Sequence, residues 1–152
     1  LEALARGHAG RVEAIAETVW SALGAVVEAP VLLRLASEPR RLLDWAEAGR
    51  AAAGRLGVEM TVLAQPGHGV VEMAVWDSPD PRRLGQELVR PLRAAVEAEG
   101  GSLVLERAPI ELKVSCEVWG SIQAEILSIM KRIKGEFDPD DVLSPGRFVG
   151  GL

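Results

Sequence analysis

The stretch Val58-Glu-Met-Thr-Val-Leu-Ala-Gln-Pro-Gly-His-Gly-Val-Val-Glu-Met-Ala-Val75 decides the fold, because it predicts two strands joined by a tight turn. Side chains alternate on both sides of the central Gln65-Pro-Gly-His-Gly69, which is typical of strands with distinct faces. Proline and glycine in the middle supply the backbone conformations of a hairpin turn. The centre of the chain is therefore predicted to hold two neighbouring antiparallel strands.

A helix and a further strand are predicted on each side of this hairpin. Residues 31–36 form a short apolar run after Pro30, and Ser37 is a suitable cap for a helix that ends at Gly57. Asp80 and Pro81 begin a second helix, which Pro91 should kink, and residues 102–107 form the last strand. The order β-α-β-β-α-β predicts an α+β, ferredoxin-like antiparallel sheet with two helices on one face.

Helical segments are predicted outside this unit at both ends of the chain. Residues 1–28 form a helical leader or linker, and residues 29–152 form one domain with its tail. Alternation over residues 111–119 predicts an additional strand, and Ser121 is expected to cap a final helix that Gly135 ends. An apolar stripe on that helix is expected to be buried and consists of Ile122, Ile126, Ile129, Met130 and Ile133.

Composition limits the classes of function. The net charge of −5 argues against a nucleic-acid partner, which usually needs a basic face. The single cysteine, Cys116, rules out a disulfide within the chain and is expected to be a buried thiol. No run approaches the roughly 18 apolar residues of a membrane span. No signal peptide is visible either, so we expect a cytoplasmic protein, or a fragment of one because the sequence starts with Leu1 and not with Met.

Few residues suggest chemistry by their spacing alone. His68 lies in the glycine-rich hairpin, where it is either a ligand or base, or a turn residue, and the second reading is favoured. Glu106 and Arg107 end a strand, where they form either a site or an exposed edge. No metal-binding pattern is present, and no catalytic residue is assigned.

The ending is the most specific part of the sequence. Met130-Lys-Arg-Ile-Lys-Gly-Glu-Phe-Asp-Pro-Asp-Asp-Val-Leu-Ser-Pro-Gly-Arg-Phe148 resembles the tail of FAD-linked oxidases of the vanillyl-alcohol oxidase superfamily. Those proteins end in a basic amphipathic helix, Phe-Asp-Pro and Leu-Asn-Pro-Gly-Arg/Lys. Within the superfamily the likeness is greatest to the FAD-binding chain of bacterial glycolate oxidases, and it covers roughly residues 30–152. Weaker pieces in the same order are Glu106-Arg-Ala-Pro109, Glu117-Val-Trp-Gly120 and Gly146-Arg-Phe-Val-Gly-Gly-Leu152.

The resemblance implies that residues 29–152 are the cap domain of an FAD-linked 2-hydroxy-acid oxidoreductase subunit. In that family a preceding domain holds the FAD, and the complex oxidises glycolate to glyoxylate together with a second flavoprotein subunit and an iron-sulfur subunit. This chain alone is not expected to bind FAD. Arg147 of the tail is expected to help fasten the cap to the flavin domain.

The chain departs from the family pattern at the substrate side. Related 2-hydroxy-acid dehydrogenases carry His-x-Gly-Asp-Gly-Asn-x-His in the hairpin and Gly-Glu-His-Gly after the later strand, and these residues bind a metal and the substrate. The corresponding positions here hold Gln65-Pro-Gly-His-Gly69, with His68, and then Glu106 and Arg107. Only Glu106 and the glycines match the family pattern, so the resemblance implies that the metal site is lost. Arg107 is expected to pair with Glu106 or to bind the carboxylate of a hydroxy acid. Ser144 replaces the usual tail Asn.

A second hypothesis belongs to another class of function. Ferredoxin-like folds serve many purposes, so the alternative is a non-catalytic module for sensing small molecules or for assembly. A flavin-binding domain encoded upstream of Leu1 would discriminate between the two hypotheses.

Overall fold

The computed structural model describes residues 24, 26, 28–77 and 80–152. It contains a four-stranded sheet in the order β2-β3-β1-β4, in which every neighbouring pair is antiparallel. Strand β3 therefore separates β1 from β2, and β1 separates β3 from β4, as in a ferredoxin-like sheet. The predicted α+β class is confirmed, whereas most of the predicted leader over residues 1–28 lies outside the described residues. The strands are β1 (Val31–Ala36), β2 (Met60–Gln65), β3 (Val70–Val75) and β4 (Ser102–Arg107).

The helices follow the strands in the predicted order. A short turn, Pro39–Arg41, leads into α1, and a π-helical segment, Gly85–Val89, joins α2 to α3. The π-helical segment ends at Val89, two residues before Pro91. A kink is predicted here because proline has no N–H to bond to the preceding helical turn. The helices are α1 (Leu42–Leu56), α2 (Pro81–Leu84), α3 (Arg90–Ala98), α4 (Ile110–Ser115) and α5 (Ala124–Phe137).

The main core lies between one face of the sheet and the helices α1 to α4. Alternate strand residues such as Leu33, Met73 and Leu105 are buried against helix residues such as Leu88. Helix α1 approaches the sheet closely at Gly49, where a Cβ atom would lie 2.7 Å from the Met73 sulfur. The small residue at this position therefore sets the distance between helix and sheet.

The opposite face of the sheet is mixed in character. Leu32 and Ala74 pack there with Val26, Ala29 and Trp76 in a second apolar cluster. The register places Glu72 beside Arg34 on this same face. Antiparallel sheets commonly carry polar residues on the face that lies away from the main core.

The strand predicted over residues 111–119 is wrong, because α4 occupies its first half. Leu112 and Cys116 are four residues apart, so they face the same side of a helical turn, and both are buried. Val114 would share their face in a strand but is 80% exposed. Residues four apart share a face both in a strand and in a helix, so the spacing of Leu112 and Cys116 fits either element and explains the error. Cys116 is a buried thiol, as predicted.

Three predicted helix boundaries are also wrong. Ser37 caps no helix, and its hydroxyl accepts from the Trp45 indole at 3.1 Å. Ser121 instead donates its N–H and hydroxyl to Glu97, and α5 begins three residues later. Gly135 lies within α5, which continues to Phe137. The predicted end at Gly57 is confirmed, since its φ of 69° is left-handed.

No helix in the described ranges is long and apolar enough to cross a membrane.

Candidate functional site

The tail after α5 is held by one buried carboxylate. Asp138 is 6% exposed and accepts from the backbone N–H groups of Val142 and Leu143, at 2.9 and 3.1 Å. Lys134, one helical turn earlier, pairs with the same carboxylate. The Lys134 ammonium also donates to the Leu143 carbonyl at 3.3 Å and lies 2.9 Å from Asp141. These contacts, which we call the Asp138 clasp, turn the chain back along α5.

The two central groups of the clasp shift each other's titration. The hydrogen bond from Lys134 lowers the pKa of Asp138, and the two backbone N–H donors lower it further. The hydrogen bond to Asp138 raises the pKa of Lys134, with a second contribution from Asp141. Both charged forms are therefore stabilised when the tail is folded.

The last residues of the tail return to the domain. The Phe148 ring meets the Trp119 ring edge-on, with centroids 5.2 Å apart, and the Phe148 N–H donates to the Leu152 carbonyl at 2.9 Å. Gly150 has a φ of 67°, and a Cβ atom there would lie 2.5 Å from a Leu127 methyl carbon. The tail is thus ordered at both of its ends.

Helix α5 and the tail together expose an apolar surface. Ile129 and Ile133 are each 54% exposed and Phe137 is 83% exposed, so the prediction that this stripe packs within the domain is wrong. A groove of about 450 Å³ runs between Ile133 on the helix and Leu143 on the tail. We call this area the α5–tail surface, and its exposed members are Ile126, Ile129, Ile133, Phe137, Val142, Leu143 and Phe148.

A second cavity adjoins the α5–tail surface. It measures about 690 Å³ and lies between the mixed face of the sheet and the tail. Arg34 on β1 donates to Glu106 on β4 at 3.2 Å within it, and Lys113 of α4 is also in its wall. Arg147 and Phe148 line both this cleft and the neighbouring groove. We call it the sheet-face cleft, and its charged lining combines Arg34, Lys113 and Arg147 with Glu106 and Glu117.

The predicted pairing of Arg107 with Glu106 is not found. Glu106 pairs with Arg34, whereas the Arg107 guanidinium lies 3.8 Å from Glu28. The β1–β4 register shifts between Leu32 and Leu33, so Arg107 pairs with Leu32 and Glu106 is the extra residue of a bulge. Each of the two side chains therefore has a different partner, and they do not pair with each other.

The hairpin residues lie at the other end of the sheet from Glu106. Gln65 and Ser102 belong to the row at one end, and Glu106 is four residues further along β4. At about 3.3 Å per residue and 4.8 Å per strand, Gln65 and Glu106 are roughly 19 Å apart. Gln65 donates to Glu72 at 3.5 Å, and His68 is exposed in the turn. The structure therefore does not join these four predicted substrate-side residues into one site.

Sequence reasoning missed several residues that shape this region. The sequence does offer a signal for Arg34, because it is the only charged residue in the apolar strand VLLRLA. Arg93 is buried and donates to the carbonyls of Leu103, Glu117 and Val118, which fixes the connector beside β4. Burial lowers the pKa of Arg93, and it outweighs the nearby acidic groups, which act to raise that pKa. Nothing in the local pattern around Arg93 predicts that role.

The described residues contain no group of three or more His, Cys, Asp or Glu side chains suited to a metal ion. The Arg34 cation in the cleft is already paired.

No protein-family model, curated protein or solved structure matches this chain.

Proposed function

We propose that the chain is the C-terminal cap portion of an FAD-linked 2-hydroxy-acid oxidoreductase subunit, with glycolate as the substrate and glyoxylate as the product. The α5–tail surface carries this proposal, because its apolar residues face solvent on an ordered scaffold. Large exposed apolar patches mark surfaces that bind another protein or domain. The tail sequence that forms the surface is also the part that resembles the oxidase family.

The order of the tail supports a docking role. Fixing a segment costs conformational entropy, and the Asp138 clasp opposes that cost before any partner arrives. The prolines at positions 139 and 145 restrict the chain further. A pre-ordered segment with exposed apolar side chains is suited to bind a rigid neighbour with little rearrangement.

The FAD would be held by a flavin-binding domain encoded upstream of Leu1 and would supply the redox chemistry. The residues of this chain would cover the reacting centre, exclude water and orient the substrate. Arg147 lies where the groove meets the cleft and offers a planar donor to a carbonyl, carboxylate or phosphate of the flavin domain. The other partners would be a flavoprotein subunit and an iron-sulfur subunit, in the cytoplasm.

The test uses the polypeptide of the complete reading frame, with Ile129→Glu compared against Ser128→Glu. Both positions are exposed on α5, but only Ile129 belongs to the α5–tail surface. We expect Ile129→Glu to reduce retained FAD and glycolate-dependent dye reduction at least about tenfold, since a charge at a packed apolar contact is costly. The Ser128→Glu control should match the wild type.

Equal activity of both variants would contradict the docking role of the surface. A reading frame without a flavin-binding domain would contradict the proposed function itself, and ligand binding in the sheet-face cleft would then favour the sensing module.

A further inference from the structure

The two edges of the sheet differ in their protection. Strand β2 forms one edge with the uncharged sequence MTVLAQ, and β4 forms the other. Edge strands usually carry charges, prolines, bulges or a covering segment, because their free backbone groups pair readily with other strands. Strand β2 contains none of the first three within its six residues.

In the part of the chain that the structure describes, a covering segment is found at β4 and not at β2. The outward N–H of Leu105 donates to the Val118 carbonyl at 2.9 Å, and Arg93 donates to the Leu103 carbonyl at 3.0 Å. Among the described residues, no backbone group outside β3 bonds to Met60–Gln65. Within the described ranges, the outer edge of β2 therefore has no backbone partner.

The hydrogen-bond pattern identifies which groups of β2 face outward. Trp76 donates its N–H to the Glu59 carbonyl at 3.2 Å, so these two residues form a hydrogen-bonded pair of the antiparallel ladder. Such pairs alternate along the strands, which directs Thr61 and Leu63 toward β3. The N–H and C=O groups of Met60, Val62 and Ala64 consequently point away from the sheet.

We propose that β2 pairs antiparallel with β2 of a second copy of this chain, about a two-fold axis at Val62. This arrangement joins two four-stranded sheets into one continuous sheet. Three residues on each strand exchange bonds across the axis, which gives about six backbone hydrogen bonds. A symmetric dimer of this kind uses the same surface on both subunits.

The side chains of β2 are complementary to themselves in this register. Val62 faces its own copy, and Met60 faces the smaller Ala64 of the partner subunit. Glu59 faces Gln65 of the partner subunit, so an amide donor meets a carboxylate and no like charges are opposed.

This interface lies on the far side of the sheet from the α5–tail surface. The sheet-face cleft beside the tail includes Val104 and Glu106 of β4, whereas β2 is the opposite edge. Three strand spacings, roughly 14 Å, separate the two edges. Pairing through β2 therefore leaves the proposed flavin-domain docking free, and the two proposals are independent.

Amide hydrogen exchange by NMR tests the pairing without a substitution. We expect the amides of Met60, Val62 and Ala64 to gain at least about tenfold protection as the protein is concentrated into the millimolar range, because each becomes hydrogen-bonded. The amides of Thr61 and Leu63 bond to β3 and should stay protected at every concentration. Constant fast exchange at Val62, or concentration-independent protection, would overturn the proposal.

A proline at Val62 provides the matching variant. Val62→Pro removes one outward N–H but no bond to β3, and edge positions facing solvent tolerate proline. Sedimentation should show Val62→Pro as a monomer at concentrations where wild type and Val62→Thr dimerise. A dimeric Val62→Pro with a native amide spectrum would contradict the interface, and so would a monomeric wild type.

Discussion

Ser144 has a left-handed backbone, with a φ of 50°, in the turn that leads to Pro145. Serine pays a steric cost in this region, whereas asparagine is several-fold enriched there. The oxidase family that the tail resembles has Asn at the corresponding position. We predict that Ser144→Asn stabilises the folded tail by up to about 1 kcal/mol.

Thermal unfolding and exchange of the Val142 and Leu143 amides measure the gain from Ser144→Asn. Ser128→Asn on the exposed face of α5 is the control and should be neutral or slightly destabilising, since asparagine is a weak helix former. A destabilised Ser144→Asn would show that the left-handed turn is not populated.

The Asp138 clasp predicts a tail that opens at both extremes of pH. The pKa of Asp138 is lowered, so its contribution is complete above the ordinary value of about 3.9 and is lost as the pH falls through the lower folded value. The pKa of Lys134 is raised, so its contribution is complete below about 10.4 and is lost as the pH rises through the higher folded value. The clasp should be intact between these limits.

The amide chemical shifts of Val142 and Leu143 report the acid transition directly. Asp138→Asn should remove this transition, because the amide side chain does not titrate there. The exposed neighbour Asp140 offers the control Asp140→Asn, which should retain it. Identical acid profiles for both variants would rule out Asp138 as the titrating group.

Loss of an apolar side chain should destabilise the protein much more in α4 than in α5. Leu112 in α4 is fully buried, so Leu112→Ala should cost about 2–5 kcal/mol in free energy of unfolding. Ile126 in α5 is 44% exposed, so Ile126→Ala should cost less than about 1 kcal/mol in free energy of unfolding. Chemical denaturation of both variants checks this, and a large loss for Ile126→Ala would place the stripe inside the domain.

The stripe on α5 shows where sequence patterns stop being informative. The spacing of Ile126, Ile129 and Ile133 predicts an amphipathic helix, and α5 is one. Periodicity shows that one face favours burial but does not show what covers it. The hairpin was predictable because the turn chemistry at Gly69 acts locally, and the strand order follows from the β-α-β-β-α-β connection.

The candidate site was less predictable than the fold, because it depends on which ends of the strands meet. Antiparallel connection places the Gln65–His68 turn at the opposite end from Glu106. The pairing of Arg34 with Glu106 joins residues 72 positions apart in the chain. Only the assembled sheet creates the sheet-face cleft between them and the tail.

At the level of the whole chain, the proposed cap has two independent faces. In the two proposals the α5–tail surface binds a flavin domain, and the outer edge of β2 binds a second copy. The Asp138 clasp fixes the tail, and Arg93 fixes the connector beside β4.

The visible absorption spectrum of two purified proteins tests the central claim most directly. One is this chain alone, and the other is the polypeptide of the complete reading frame that contains it. We predict a colourless chain and a longer polypeptide with one FAD per molecule, whose flavin absorbance is bleached by glycolate. Stoichiometric flavin on the chain alone, or a longer polypeptide without flavin, would contradict the proposed cap function.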